Sequence, residues 1–156
     1  MSNKYRWHVV VIPEDDATRQ LGNGLANAFS EMGRRIKFLP VSRGWKRAVE
    51  CVKSLDLNSN SFRRVLLIID FDKNKDRLES IKAKEDFSEF RDRIFILGCF
   101  KEAEDLKELL SERNLEEVGK ILASNCNYWD SPLLLTCRSD ACRLKAELNK
   151  EAFQEN

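Results

Sequence analysis

The sequence lacks the patterns that mark membrane, secreted and zinc-binding proteins. No apolar run approaches the roughly 20 residues that a membrane-spanning helix needs, and the first residues do not form a signal peptide. The five cysteines are odd in number and none lie in CxxC spacing, which argues against a disulfide framework or a zinc site. We therefore expect a cytoplasmic protein with reduced thiols and no membrane association.

Several functional classes are also missing. The single histidine, His8, falls within an apolar run, so we expect a packed strand residue, and a multi-histidine metal site is excluded. No GxxxxGK[ST] motif is present, so a P-loop ATPase is not indicated. The 27 basic and 26 acidic residues nearly cancel, so net charge gives no sign of a nucleic-acid partner. Any such partner must be bound by local charge.

The chain of 156 residues has no internal repeat, low-complexity segment or long linker, so we expect one domain over residues 1–156. Apolar runs alternate with helical periodicity, which predicts an α/β fold with a central, mainly parallel sheet of four strands, alternatively five, and helices on both faces. The core spans about residues 7–110, and a helical extension spans about 111–156. The predicted strands are 7–12, 36–41, 65–69 and 94–97, with 129–136 as a loop or short strand, and the predicted helices are 17–32, 45–55, part of 76–90, 102–111, 115–124 and 139–153.

The segment Val65-Leu-Leu-Ile-Ile-Asp-Phe-Asp72 carries the strongest functional signal. Its run of branched apolar residues predicts a strand that is buried on both faces of a parallel sheet. Asp70 and Asp72 close this run, and side chains two residues apart on a strand point the same way. Neighbouring carboxylates repel each other unless a divalent cation neutralises them. The alternative role for Asp72 is turn formation or helix capping.

More charged residues are expected at the same edge, because ligands of open α/β sheets bind beyond the carboxyl ends of the strands. Glu14 follows the first strand, and Glu104 follows the fourth in an acidic segment that is alternatively an ordinary first helical turn. Carboxylates are the ligands that Mg²⁺ and Mn²⁺ prefer, so the predicted metal ligands are Glu14, Asp70, Asp72 and Glu104. The residues expected to hold a phosphate backbone are Arg43, Lys46, Lys73 and Arg77.

Taken in order, these motifs resemble the TOPRIM domain, the metal-binding fold shared by topoisomerases, primases and OLD-family nucleases. Val9-Val-Val-Ile-Pro-Glu14 is similar to the family's first strand with its closing Glu, and Leu67-Ile-Ile-Asp-Phe-Asp72 is similar to its DxD strand. Gly44 matches the glycine that often follows the second strand, and Glu104 resembles the extra acid of small TOPRIM-like nucleases. The family usually has Gly after the Glu, where this chain has Asp15, so the first-strand acid is either Glu14 or Asp15.

The resemblance implies a small stand-alone TOPRIM-like nuclease that cleaves DNA or RNA with Mg²⁺ or Mn²⁺ as cofactor. Its catalytic residues would be Glu14, Asp70 and Asp72. One alternative is a non-catalytic binding module, either a homodimer or a subunit of a larger defence or repair assembly. The other is a receiver-like regulatory domain phosphorylated on Asp70, although Gly98 and Cys99 stand where a receiver has Ser or Thr.

Overall fold

The structure is a computed structural model that describes residues 7–28, 35–72, 74, 76–99, 107, 114–124, 143, 144 and 146. Its four strands are all parallel and lie in the order β2-β1-β3-β4. The predicted α/β class with a parallel sheet is therefore confirmed. The elements are β1 (His8–Pro13), α1 (Asp16–Asn27), β2 (Ile36–Phe38), α2 (Trp45–Lys53), β3 (Arg63–Asp70), α3 (Asp76–Lys82), α4 (Glu85–Glu89), β4 (Ile94–Cys99) and α5 (Leu115–Ser124).

The sheet separates two apolar cores, because successive side chains of a strand point to opposite faces. On one face, Val9 and Val11 of β1 pack with α1 and α5. On the other face, Val10 and Ile12 pack with α2, α3 and α4. The expected arrangement of helices on both faces is thus confirmed. Within the described part of the chain, no helix is long and apolar enough to cross a membrane.

The strand β3 is buried on both faces, as its apolar sequence predicts. Residues 67–69 have no exposed surface. The strand begins before the predicted residue 65, because Arg63 and Arg64 continue the ladder with β1. His8, the residue opposite Arg63, is buried and accepts a hydrogen bond at Nε2 from Arg63 Nε at 3.1 Å. His8 is therefore a packed strand residue, as expected.

Several elements end at other positions than the sequence predicts. The helix α1 ends at Asn27 rather than at residue 32, and β2 ends at Phe38 rather than at residue 41, two residues before Pro40, which has no N–H to donate. The charged segment 76–90 forms two short helices, because Lys84 adopts an extended backbone conformation between them. Apart from isolated positions, the predicted elements at 102–111, 129–136 and 139–153 lie outside the described residues.

A pair of glycines lets α1 and α5 approach closely on one face of the sheet. A Cβ atom on Gly24 would collide with the backbone carbonyl of Glu116, and one on Gly119 would collide with the carbonyl of Leu21. The lack of a side chain at both positions therefore sets the spacing of the two helices. This contact packs α5 against α1, the helix that begins at Asp16, directly after the turn from β1.

Candidate active site

The strand order creates a crevice between the two central strands. After β1 the chain turns to β2 on one side, and after β2 it crosses to β3 on the other side. In doubly wound sheets, such a topological switch point is where ligands bind, beyond the carboxyl ends of the strands. Glu14 directly follows β1 and Asp70 is the last residue of β3. Both acids therefore lie at the switch point.

The structure brings Glu14 into direct contact with the end of β3. Its backbone N–H extends the ladder by donating to the carbonyl of Ile68 at 3.0 Å. Its side chain crosses to β3, where Oε2 accepts a hydrogen bond from the backbone N–H of Asp70 at 2.7 Å. The distance is typical of a strong hydrogen bond to a charged acceptor. Glu14 thus links the carboxyl ends of β1 and β3.

The surroundings of Glu14 raise the pKa of its carboxyl group. Burial is the main cause, because a poorly solvated carboxylate is costly. The hydrogen bond from the Asp70 backbone and the charge of Arg77 oppose this shift, whereas the negative charges of Asp15 and Asp72 add to it. Glu14 therefore retains its proton to a higher pH than an exposed glutamate, which suits a group that exchanges protons with a substrate.

The neighbouring acid, Asp15, has a different task. It is the N-cap of α1: Oδ1 accepts from the backbone N–H of Thr18 at 2.9 Å, and Thr18 Oγ1 accepts from the Asp15 backbone N–H at 3.0 Å. This reciprocal capping box satisfies backbone donors at the start of the helix. Asp15 therefore faces the helix, whereas the Glu14 side chain faces β3.

Asp70 and Asp72 occupy different environments. Asp70 is still in the strand and is 7 % exposed. Phe71 follows it into the core, and Asp72 lies in a turn with a left-handed φ of 48°. The alternation of side chains along a strand therefore applies up to Asp70 and does not fix the direction of Asp72. In the described ranges, no three His, Cys, Asp or Glu residues form a group that would hold a metal ion, and Glu104 lies outside those ranges.

Arg77 binds Asp72 and the end of β3 together. Its Nη1 donates to Asp72 Oδ2 and to the backbone carbonyl of Asp70, both at 3.0 Å. The guanidinium lies 4.5 Å from the ring centroid of Trp45, a distance typical of a cation–π contact. The Arg77 side chain is 11 % exposed and that of Asp72 is 59 % exposed. Arg77, which the sequence assigns to phosphate binding, is thus engaged with Asp72.

The loop between β2 and α2 borders the same crevice. The backbone N–H of Arg43 donates to the carbonyl of Glu14 at 2.7 Å, so this loop is tied to the end of β1. Arg43 has a left-handed φ of 62°, and the next residue, Gly44, has a φ of 140°, which favours glycine. The side chains of Arg43 and Lys46 are exposed, and Lys73 lies outside the described residues.

Trp45 is a site residue that the sequence does not reveal. As the first residue of α2, it continues the apolar side of an amphipathic helix, which is sufficient reason for a tryptophan there. Its contact with Arg77 joins residues from two different helices, and no local pattern indicates such a pairing. The Lys46 ammonium is also near this ring, at 5.7 Å from its centroid.

Comparison of the chain with models of protein families, with curated proteins and with solved structures finds no match in any of the three. The candidate site is therefore defined by the residues and geometry of this chain.

Proposed function

We propose that the protein is a divalent-metal-dependent phosphodiesterase that cleaves nucleic acid. The observation that carries the proposal is the contact between Glu14 and Asp70 at the switch point of a parallel sheet. The Glu14 carboxylate reaches the backbone of Asp70 there, so acidic residues of the two central strands lie next to each other at the place where this class of fold binds its ligands. The order of motifs that resembles the TOPRIM family supports the same function.

The donor set fits Mg²⁺, or Mn²⁺ in its place. Mg²⁺ commonly takes one or two carboxylates and completes its coordination with water and phosphate oxygens. Glu14 and Asp70 would hold the ion, and Asp72 is a further carboxylate once it is released from Arg77. When bound, the ion supplies positive charge that polarises a phosphodiester and stabilises the leaving oxygen. Glu104, which follows β4 in the chain, is a proposed additional ligand.

The chain's own residues would do the remaining work. Glu14 would serve either as a ligand of the ion or as a general acid/base; in the second role, its raised pKa in the ion-free protein would suit it to accept a proton from the attacking water or return one to the leaving group. Arg43 and Lys46 are exposed beside the crevice and would hold the negatively charged backbone of the substrate, together with Lys73. Such phosphate contacts position a strand without selecting its base sequence.

A cleavage assay tests the proposal directly. Labelled single-stranded and double-stranded DNA and RNA are incubated with the protein and Mg²⁺, Mn²⁺ or EDTA. We expect cleavage that requires the cation and falls at least about 100-fold in Glu14→Gln and in Asp70→Asn. The matched control is Asp92→Asn, which makes the same Asp-to-Asn change in an exposed turn just before the first residue of β4, at the edge of the sheet opposite the crevice. It should leave cleavage unchanged.

Two outcomes would contradict the proposed nuclease activity. Cleavage that persists in Asp70→Asn would come from another site or another protein. Cation binding without cleavage of any of these substrates would instead favour a non-catalytic binding module or a partner subunit.

One observation favours a second candidate, a receiver-like regulatory domain. The order β2-β1-β3-β4 is the order of doubly wound folds to which receivers belong, and Asp70 is at the end of the third strand. Against it, Gly98 and Cys99 stand where a receiver has Ser or Thr. Incubation with acetyl phosphate and Mg²⁺, followed by mass spectrometry, distinguishes the two functions. A stable phosphoryl group on Asp70 favours the receiver, and its absence argues against the receiver.

A further inference from the structure

We propose that Arg77 is the exchangeable counter-ion of Asp72, so that a divalent cation and the Arg77 guanidinium compete for this carboxylate. The inference rests on the proposed function, because it concerns the same cation site. It assigns Arg77 as a positioning residue that couples cation binding to phosphate binding, in place of a permanent phosphate contact.

The Asp72 carboxylate is already occupied by Arg77 in the structure. Arg77 Nη1 lies 3.0 Å from Asp72 Oδ2, which is the distance of a direct charge-assisted hydrogen bond. A cation bound through the same oxygen would face a guanidinium at a similar distance, and the two positive charges would repel each other. Simultaneous binding of both to Asp72 Oδ2 is therefore unfavourable.

Arg77 is held more firmly than Asp72, its partner in the ion pair. Arg77 keeps two other contacts, the backbone carbonyl of Asp70 at 3.0 Å and the ring of Trp45 at 4.5 Å. Its side chain is 11 % exposed, whereas that of Asp72 is 59 % exposed and follows a turn outside the strand. Release of the ion pair thus requires a movement of Asp72 while Arg77 stays in position.

Release of Asp72 would leave Arg77 without an anionic partner. Without Asp72, Arg77 retains a carbonyl and an aromatic ring, neither of which neutralises its charge. Its Nε is buried and makes no hydrogen bond in the part of the chain that the structure describes. A phosphate oxygen of the substrate is the anion that would restore the balance, and guanidinium groups bind phosphate well. Cation and phosphate should therefore each strengthen the binding of the other.

Calorimetric titration of the full chain with Mn²⁺ tests the exchange. The variants are Arg77→Met, which keeps the length and the packing of the side chain, Asp72→Asn, and the double variant. We expect Arg77→Met to bind Mn²⁺ about three- to tenfold more tightly than the unmodified protein, as removal of a competing charge at this range implies. In the Asp72→Asn background, Arg77→Met should change the affinity for Mn²⁺ less than about twofold.

The matched control is Lys46→Met, which removes a nearby positive charge that makes no ion pair with Asp72 among the described contacts. It should change Mn²⁺ affinity less than about twofold, because exposed charges are largely screened. A second measurement needs no variant: in the unmodified protein, titration with diamagnetic Mg²⁺ should shift the Arg77 side-chain NMR resonances with the midpoint found by calorimetry.

The outcomes separate the inference from the proposed function. Equal or weaker Mn²⁺ binding in Arg77→Met, or Arg77 resonances that do not move when Mg²⁺ binds, would overturn the exchange and leave the cation site intact. A gain equal to that of Lys46→Met would also overturn it, since a general charge effect would then be sufficient. Absence of cation binding in every form would overturn both the exchange and the proposed function.

Discussion

Substitution of Glu14 separates its structural role from its chemical role. Glu14→Ala removes the acceptor of the Asp70 backbone N–H, whereas Glu14→Gln keeps an oxygen in a similar position and removes the charge. Both variants therefore lack the Glu14 carboxylate, and they differ in whether the Asp70 N–H keeps a hydrogen-bond acceptor. Their comparison shows how much of the site's stability depends on the contact and how much on the charge.

The structure sets the expected magnitudes. In Glu14→Ala, the Asp70 N–H at the end of a buried strand loses its 2.7 Å partner, which should lower the free energy of unfolding by about 1–3 kcal/mol. In Glu14→Gln, the neutral amide oxygen replaces the carboxylate as acceptor, and the cost of burying a charge disappears. We expect Glu14→Gln to be as stable as the unmodified protein at neutral pH, or slightly more stable.

The pH dependence follows from the raised pKa of Glu14. The folded protein holds the Glu14 proton more tightly than the unfolded chain does, so folding is favoured by this group at low pH. As the pH rises through the ordinary value of 4.5 towards the raised pKa, the unfolded chain ionises first and this contribution is lost. The advantage of Glu14→Gln should therefore develop over that window and be absent below it.

Urea unfolding followed by circular dichroism, in EDTA and between pH 4 and pH 8, measures these differences. Mg²⁺ should stabilise the unmodified protein and have little effect on either Glu14 variant, because a ligand stabilises only the state that binds it. Equal destabilisation by Glu14→Gln and Glu14→Ala would contradict these expectations, as would an advantage of Glu14→Gln over the unmodified protein that is smaller at neutral pH than at acid pH.

Two further predictions concern the supports of the site. Gly24→Ala should lower the free energy of unfolding by about 1–3 kcal/mol, because the added methyl group meets the backbone carbonyl of Glu116. Asn23→Ala on the same helix is the control and should change the free energy of unfolding much less. Equal effects of the two substitutions in urea unfolding would contradict the close contact. Asp15→Ala should cost about 1 kcal/mol through loss of the capping box with Thr18, with no change in Mn²⁺ affinity by calorimetry, and a large loss of affinity would instead make this residue the first-strand acid.

The fold was largely predictable because its signals are local. The apolar run that ends at Asp70 is typical of a strand covered on both faces, and the structure buries residues 67–69 completely. The alternation of strands and helices likewise indicates parallel pairing. The order β2-β1-β3-β4 does not follow from such local signals, because it depends on which helices cover which face.

The site was less predictable because it depends on contacts between distant residues. The i, i+2 spacing of Asp70 and Asp72 aligns their side chains only if the strand continues, and the strand ends at Asp70. Arg77 looks like a free surface cation in the sequence, although it pairs with Asp72 and packs on Trp45. The many charged residues around Asp72 and Arg77 in the sequence indicate that ion pairs form there, but they do not indicate which residues pair with each other.

Anomalous scattering from crystals soaked in Mn²⁺ locates the ion among the acids of the candidate site. We expect an anomalous peak between the carboxylates of Glu14 and Asp70, beyond the carboxyl ends of β1 and β3, and no such peak in Asp70→Asn crystals. Saturated Mn²⁺ soaks that show no peak at this position, or a peak only elsewhere, would overturn the proposed cation site.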